Sequence, residues 1–219
     1  MRDKLFTVFY MAGVSAFFTA CVAMVYAATR ERVDFNEEIA QKRVVFQVLG
    51  IEVPRSTEEF SELYQERVEE ETNIRIQTQA KTVQVMKGYD EDGELIAYIF
   101  PLIGRGFWDQ VKGYMAVDPN LEKIRGLAFY EQSETPGLGA EITEPWFEEN
   151  FRDKTIPDDP GPDGRLIALV RAGREKGPGD VDAVTGATQT SKAVEKIINT
   201  TLKSFLKTMP GKDRKPNEE

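Results

Sequence analysis

Histidine is absent from all 219 residues, and the single cysteine, Cys21, sits in the apolar N-terminal stretch. The rest of the chain therefore has no means of forming an internal disulfide, a cysteine-ligated iron–sulfur cluster or a His/Cys zinc site. It equally lacks a Ser-His-Asp triad and a cysteine nucleophile. Positive charge is also short: 28 basic residues face 37 acidic ones, a formal net charge of −9. Sequence-independent nucleic-acid binding needs the opposite balance, so no nucleic-acid partner is expected. No catalytic side chain and no metal ligand set is expected, and any redox chemistry must come from an organic cofactor.

What is present begins with a long uncharged run. Leu5 to Ala28 carries no charged residue over 24 positions, and at ~1.5 Å per residue such a helix spans the ~30 Å hydrocarbon core of a bilayer with some tilt. A signal peptide ending at Val25-Tyr26-Ala27 would have an apolar region longer than the roughly 7–15 residues usual for one. A lipoprotein site at Cys21 is disfavoured by Phe18, which stands where such sites carry an aliphatic residue. An uncleaved transmembrane anchor over residues 1–29 is the expectation. Basic residues flank the run on both sides (Arg2 and Lys4; Arg30, Arg32, Lys42 and Arg43), so charge alone does not orient it.

Residues 30–80 read as a membrane-proximal helical segment. Phe35, Ile39, Val44, Val45, Val48 and Leu49 fall at helical spacing before Gly50, and Ser56-Thr57-Glu58-Glu59 is a capping box ahead of Phe60, Leu63, Tyr64 and Val68. Glu62, Glu66, Glu69, Glu70 and Glu71 read as the solvated face of that second helix rather than as a metal site. Residues 81–208 read as one domain. Strands are expected over Thr82–Met86, Leu95–Ile103, Gly113–Val117 and Lys123–Gln132, with Asp92-Gly93 as a hairpin turn. A short helix at 144–151, a strand at 166–171 and a final amphipathic helix bearing Val194, Ile197, Ile198, Leu202, Phe205 and Leu206 complete it. Residues 209–219 form a charged tail. The fold class expected is α+β: one N-terminal transmembrane helix, then a mainly antiparallel sheet flanked by helices.

Three stretches carry chemistry. Asp182-Ala183-Val184-Thr185-Gly186-Ala187-Thr188-Gln189-Thr190-Ser191 leads directly into the last helix. One reading is a loop with Thr188, Thr190 or Ser191 capping the orphan amides. The other is an anion cradle, in which helix N–H groups and the macrodipole hold a phosphate without any lysine or arginine. The second stretch, Glu134-Thr135-Pro136-Gly137-Leu138-Gly139, follows a strand and offers backbone amides to a flat polar edge. In the third, Gly104-Arg105-Gly106-Phe107-Trp108, a tryptophan follows a glycine-bracketed turn and is either a core aromatic or a flat wall for a π-ligand.

In these stretches the chain resembles the family of FMN-binding subunits that includes the C subunit of the sodium-translocating NADH:quinone oxidoreductase (Nqr) and the G subunit of the Rnf complex. Asp-x-x-Thr-Gly-Ala-Thr is similar to its flavinylation motif, and Glu-Thr-Pro-Gly-Leu-Gly to its isoalloxazine loop; the similarity runs from the anchor to about residue 206. The resemblance implies covalent FMN in a phosphoester to Thr188, with Asp182, Thr185, Gly186 and Ala187 around the phosphate. It implies ring contacts from Trp108, Glu134, Thr135, Gly137, Leu138 and Gly139. It further implies a flavin transferase that installs the cofactor, partner subunits in the membrane, and a soluble domain outside the cytoplasmic membrane. The function implied is electron transfer within an ion-translocating oxidoreductase. A membrane-tethered extracytoplasmic domain that binds an anionic small molecule without redox chemistry is the alternative.

Overall fold

The computed structural model describes residues 2–161, 163–174 and 177–209. The charged tail beyond Met209, and positions 175–176 of the glycine-rich approach to the last helix, lie outside the described residues. In chain order the elements are α1 (Arg2–Leu49), α2 (Thr57–Arg67), β1 (Val68–Glu69), β2 (Arg75–Gln77), β3 (Thr82–Gln84), β4 (Met86–Tyr89), β5 (Leu95–Arg105), β6 (Gln110–Val117) and β7 (Ile124–Glu131). A 3-10 turn (Gly139–Thr143), α3 (Pro145–Glu149), β8 (Ala168–Val170), β9 (Asp180–Asp182) and α4 (Thr188–Thr208) follow. Two compact units divide after Gln41.

The first unit is helix throughout its described residues. Lys4–Leu49 contains the one described stretch long and apolar enough to cross a membrane. Phe6, Phe9, Phe17, Phe18, Val22 and Met24 are all exposed, an arrangement stable in lipid and costly in water.

In the second unit the last turns of α1 become core. Val45, Phe46, Val48 and Leu49 are buried, and Phe46 packs edge-on to Phe60 at 5.2 Å and stacks on Tyr64 at 5.7 Å. Two sheet glycines admit this helix end. A Cβ on Gly126 would stand 2.4 Å from the Val48 carbonyl oxygen, and one on Gly88 2.6 Å from Leu49 Cδ2. Gly50 (φ +73°) terminates the helix, and the Arg125 Nε–H donates to the Leu49 carbonyl at 3.0 Å. Ser56 caps α2, its hydroxyl accepting from the Glu59 amide. That helix ends at Arg67, short of the Glu69–Glu71 run expected on it: β-branched Val68 is extended, at φ −130°, and pairs with Gly88. Glu69, Glu70 and Glu71 thus fall beyond the helix, and Glu69 instead pairs with Lys87 at 3.1 Å.

The five-stranded sheet has the order β1-β4-β5-β6-β7, every neighbouring pair antiparallel. The strand expected over Thr82–Met86 divides at Val85: β3 pairs with β2, and β4 with β5. Fully buried Val85 donates its amide to the Ile74 carbonyl at the crossover. β5 is covered on both faces, Ile99 towards Leu49 and Phe100 towards Phe205 of α4 at 4.7 Å, which explains its nearly unbroken apolar sequence. Pro101 lies two residues beyond Ile99, the last β5 residue paired with β4, where its missing N–H is tolerated.

α4 lays its apolar stripe on the sheet and its polar residues on β8 and the segment before it. Asn199 Oδ1 accepts from the Leu166 and Ile167 amides (2.7 and 3.2 Å), its Nδ2 donates to the Ile167 carbonyl (2.7 Å), and Glu195 accepts from the Leu169 amide (2.7 Å). These bonds hold β8, whose parallel partner β9 was not expected from sequence. One buried carboxylate ties three elements. Glu148 of α3 accepts from the Phe129 amide of β7 (3.0 Å) and from Gln47 Nε2 of α1 (2.7 Å), and burial pushes its pKa up to about 7.

Candidate functional site

Parallel β8 and β9 deliver the chain to the start of α4. Asp182 is the last residue of β9, and the Ala183 amide donates to the Val170 carbonyl at 2.8 Å. The Ala187 amide then donates to the Val184 carbonyl, and Gly186 adopts φ +82°, a left-handed conformation that glycine reaches without strain. α4 begins at Thr188 with Ala187 as its N-cap, and no side chain caps it.

The capping reading of this loop therefore fails in each of its hydroxyls. Thr190 Oγ1 donates to Glu134 Oε2 at 2.6 Å, Ser191 Oγ accepts from the Val184 amide at 3.2 Å, and Thr188 caps nothing. The start of this 21-residue helix borders a cavity of about 380 Å³ lined by Thr185, Gly186, Thr188, Ser191, Arg171 and Lys192. Two of these lining residues, Arg171 and Lys192, are basic. Neither was singled out from the sequence. Lys192 lies one helical turn after Thr188, a spacing that could have revealed it; Arg171 arrives from across the β8–β9 pair, which the sequence did not disclose. Asp182 is half-buried and is not among the lining residues.

The second stretch meets the first at Gly186, where an added Cβ would stand 3.1 Å from Leu138 Cδ2. In the loop, the Thr135 carbonyl accepts from the Leu138 and Ala140 amides, both at 3.1 Å, and Gly137 takes φ +70° with open space around it. Gly139 is a close-approach position: a Cβ there would be 2.5 Å from Thr190 Oγ1. The third stretch joins through Trp108, whose Nε1–H donates to Thr135 Oγ1 at 3.1 Å. Trp108 is 61% exposed and Leu138 43%, so the core-aromatic reading of Trp108 is wrong. Phe107, 50% exposed and edge-on to Trp108 at 5.1 Å, widens the same apolar face and was not singled out from the sequence.

Glu134 is placed differently from a ring contact. Its carboxylate is turned into the protein, accepting from the Phe107 and Trp108 amides (2.9 and 3.0 Å) as well as from Thr190. The loop, the β5–β6 turn and the first turn of α4 are thereby held together. Side by side, the structure brings a cavity with two basic residues, a helix start and a threonine hydroxyl next to an exposed apolar face of Phe107, Trp108 and Leu138. A phosphate suits the first and a flat heteroaromatic ring the second, so the residues present fit a flavin mononucleotide.

Comparison with known proteins agrees. Residues 106–203 match the family model described as an FMN-binding domain. The C subunit of the Na(+)-translocating NADH-quinone reductase of Neisseria meningitidis serogroup A is 39% identical over 122 residues, 55% of this chain and 46% of that protein. Its Haemophilus ducreyi counterpart is 34% identical over 128 residues, 58% of this chain and 48% of that one. The chain spans about half the length of the curated relatives it matches. Among solved structures, the C subunit of the same reductase from Parabacteroides distasonis superposes with a TM-score of 0.67 at 26% identity, covering 84% of this chain and 98% of that one. The Shewanella oneidensis NqrC structure has the same fold, with a TM-score of 0.62 at 23% identity over 83% and 97%.

Proposed function

We propose, from the premise that residues 106–203 match the FMN-binding domain family, that this chain is the membrane-anchored electron-transfer subunit of an Nqr-type NADH:quinone oxidoreductase. It would carry FMN as a phosphoester on Thr188. The observation that carries this reading is the shared cavity of Thr188, Arg171, Lys192 and the uncapped start of α4, set against Leu138. FMN supplies reversible one-electron chemistry, which no side chain of this composition offers.

The protein's part is to hold and orient. Arg171, Lys192 and the first amides of α4 neutralise the phosphodiester, with Thr185, Gly186 and Ala187 forming the floor beside it. Thr135, Gly137, Leu138 and Gly139 present backbone to the polar edge of the ring, and Trp108 and Leu138 give it apolar walls. Asp182 fixes the approach of the chain from β9. A threonine hydroxyl is a weak nucleophile by itself, so a flavin transferase acting on the exposed Thr188 loop is the partner in maturation.

The apolar N-terminal part of α1 anchors the domain, which stands on the extracytoplasmic side of the cytoplasmic membrane. A tethered cofactor is advantageous there because a dissociated one is lost. Electrons pass to and from other membrane subunits; the relatives named above are Nqr subunits, which favours that setting over an Rnf-type complex. When the chain is produced with an active transferase and run on a denaturing gel, the account expects a flavin-fluorescent band that Thr188→Ala abolishes. A colourless wild-type band that nevertheless binds FMN reversibly when folded would favour the non-redox binding domain.

A further inference from the structure

We propose that Glu134 is a positioning residue whose buried charge tunes the reduction potential of the flavin this site would hold. The inference rests on the reading that Thr188 carries FMN. Glu134 is 5% exposed, and all of its described bonds are internal. Oε1 accepts from the amides of Phe107 and Trp108, and Oε2 from the Thr190 hydroxyl. The backbone has been cleared for it on two sides: a Cβ on Gly106 would stand 2.5 Å from Oε1, and one on Gly139 3.0 Å from Oε2. Among the described residues no basic side chain pairs with it.

The carboxylate thus acts on the cofactor through its neighbours. Trp108 forms one apolar wall, Thr135 and Leu138 belong to Glu134's own loop, and Thr190 lies two residues past the attachment hydroxyl on α4. Three neutral donors stabilise the charge without cancelling its field, and burial leaves that field weakly screened. Reduction places added negative charge on the flavin. A fixed buried anion near the proposed ring site would oppose that gain, so the potential would lie lower than with a neutral residue in its place.

Glu134→Gln separates charge from clamp. Its Oε1 still accepts both amides, and its Nε2 can donate to the Thr190 oxygen, since a hydroxyl both donates and accepts. In the full-length chain made with transferase, intact mass reports attachment and a spectroelectrochemical titration reports the potential. The expected result is full flavin attachment in E134Q, with the oxidised-to-reduced ratio at a fixed potential changed about tenfold toward reduced, equivalent to ~59 mV for one electron. Thr190→Val removes one donor and leaves the carboxylate less compensated, so it moves the potential the other way. A flavin-bearing E134Q titrating with the wild type overturns the inference while leaving the proposed function intact. A wild-type chain without flavin overturns both. Should E134Q fail to accumulate as folded protein, T190V decides: a potential at or above the wild-type value contradicts the proposal.

Discussion

Arg171 and Lys192 illustrate what a single side chain can contribute in a chain of net charge −9. They place the two cations of the cavity beside Thr188, where each charge-assisted bond to a phosphate outweighs a neutral one. Replacing both with alanine is expected to weaken reversible FMN binding by the Thr188→Ala chain about tenfold, or ~1.4 kcal/mol, read by fluorescence titration. Unchanged affinity would place the phosphate elsewhere. Glu148 gives a second residue-scale expectation. Its folded pKa is pushed from 4.5 to about 7, first by burial. Between those values the native state keeps a proton that the unfolded chain has lost. The stability this group contributes is present below about pH 4.5, declines as pH rises, and is gone above about pH 7. The decline is on the order of 2–3 kcal/mol. Glu148→Gln retains the Phe129 amide bond and removes the titration, so the thermal midpoint of the variant should fall less between pH 5 and pH 8 than that of the wild type.

Elements were legible in proportion to how local their causes are. The Ser56 N-cap, the hairpin at Asp92-Gly93, Gly50 after α1 and the stripe of α4 are all written in neighbouring residues, and all form. The division of the 82–86 strand and the parallel β8–β9 pair depend on partners far along the chain, Ile74 and Asn199 among them. No periodicity encodes those. The motif residues of the site were recognisable, but the inward turn of Glu134 and the arrival of Arg171 needed the fold. α4 acts at this scale as a clamp, with Asn199 satisfying three backbone groups of residues 166–167. Asn199→Ala leaves the Leu166 and Ile167 amides buried without their acceptor and should cost about 2–3 kcal/mol. The loss is measurable as a lowered denaturant midpoint, together with faster amide exchange over 166–170.

At the scale of the molecule, the compact unit begins at Lys42 and takes the end of α1 as part of its core. A chain starting at residue 42 keeps Phe46 and Leu49, both essentially unexposed, and is expected to be water-soluble and cooperatively folded. One starting at residue 51 loses Val45, Phe46, Val48 and Leu49, and with them on the order of 6 kcal/mol or more of burial, enough to unfold a domain of ordinary stability. Equal melting of the two chains would show that the helix end is not core. The fold brings the loop before α4, the Glu134–Gly139 loop and the Gly104–Trp108 turn together, and the central claim is that this site bears a flavin bonded to one hydroxyl. Peptide-level mass spectrometry of the full chain, produced beside an active flavin transferase, tests it most directly. The account predicts that the peptide containing Thr188 carries the mass of one FMN less one water, with fragmentation placing it on that residue. An unmodified Thr188 peptide, or an increment on any other residue, would contradict it.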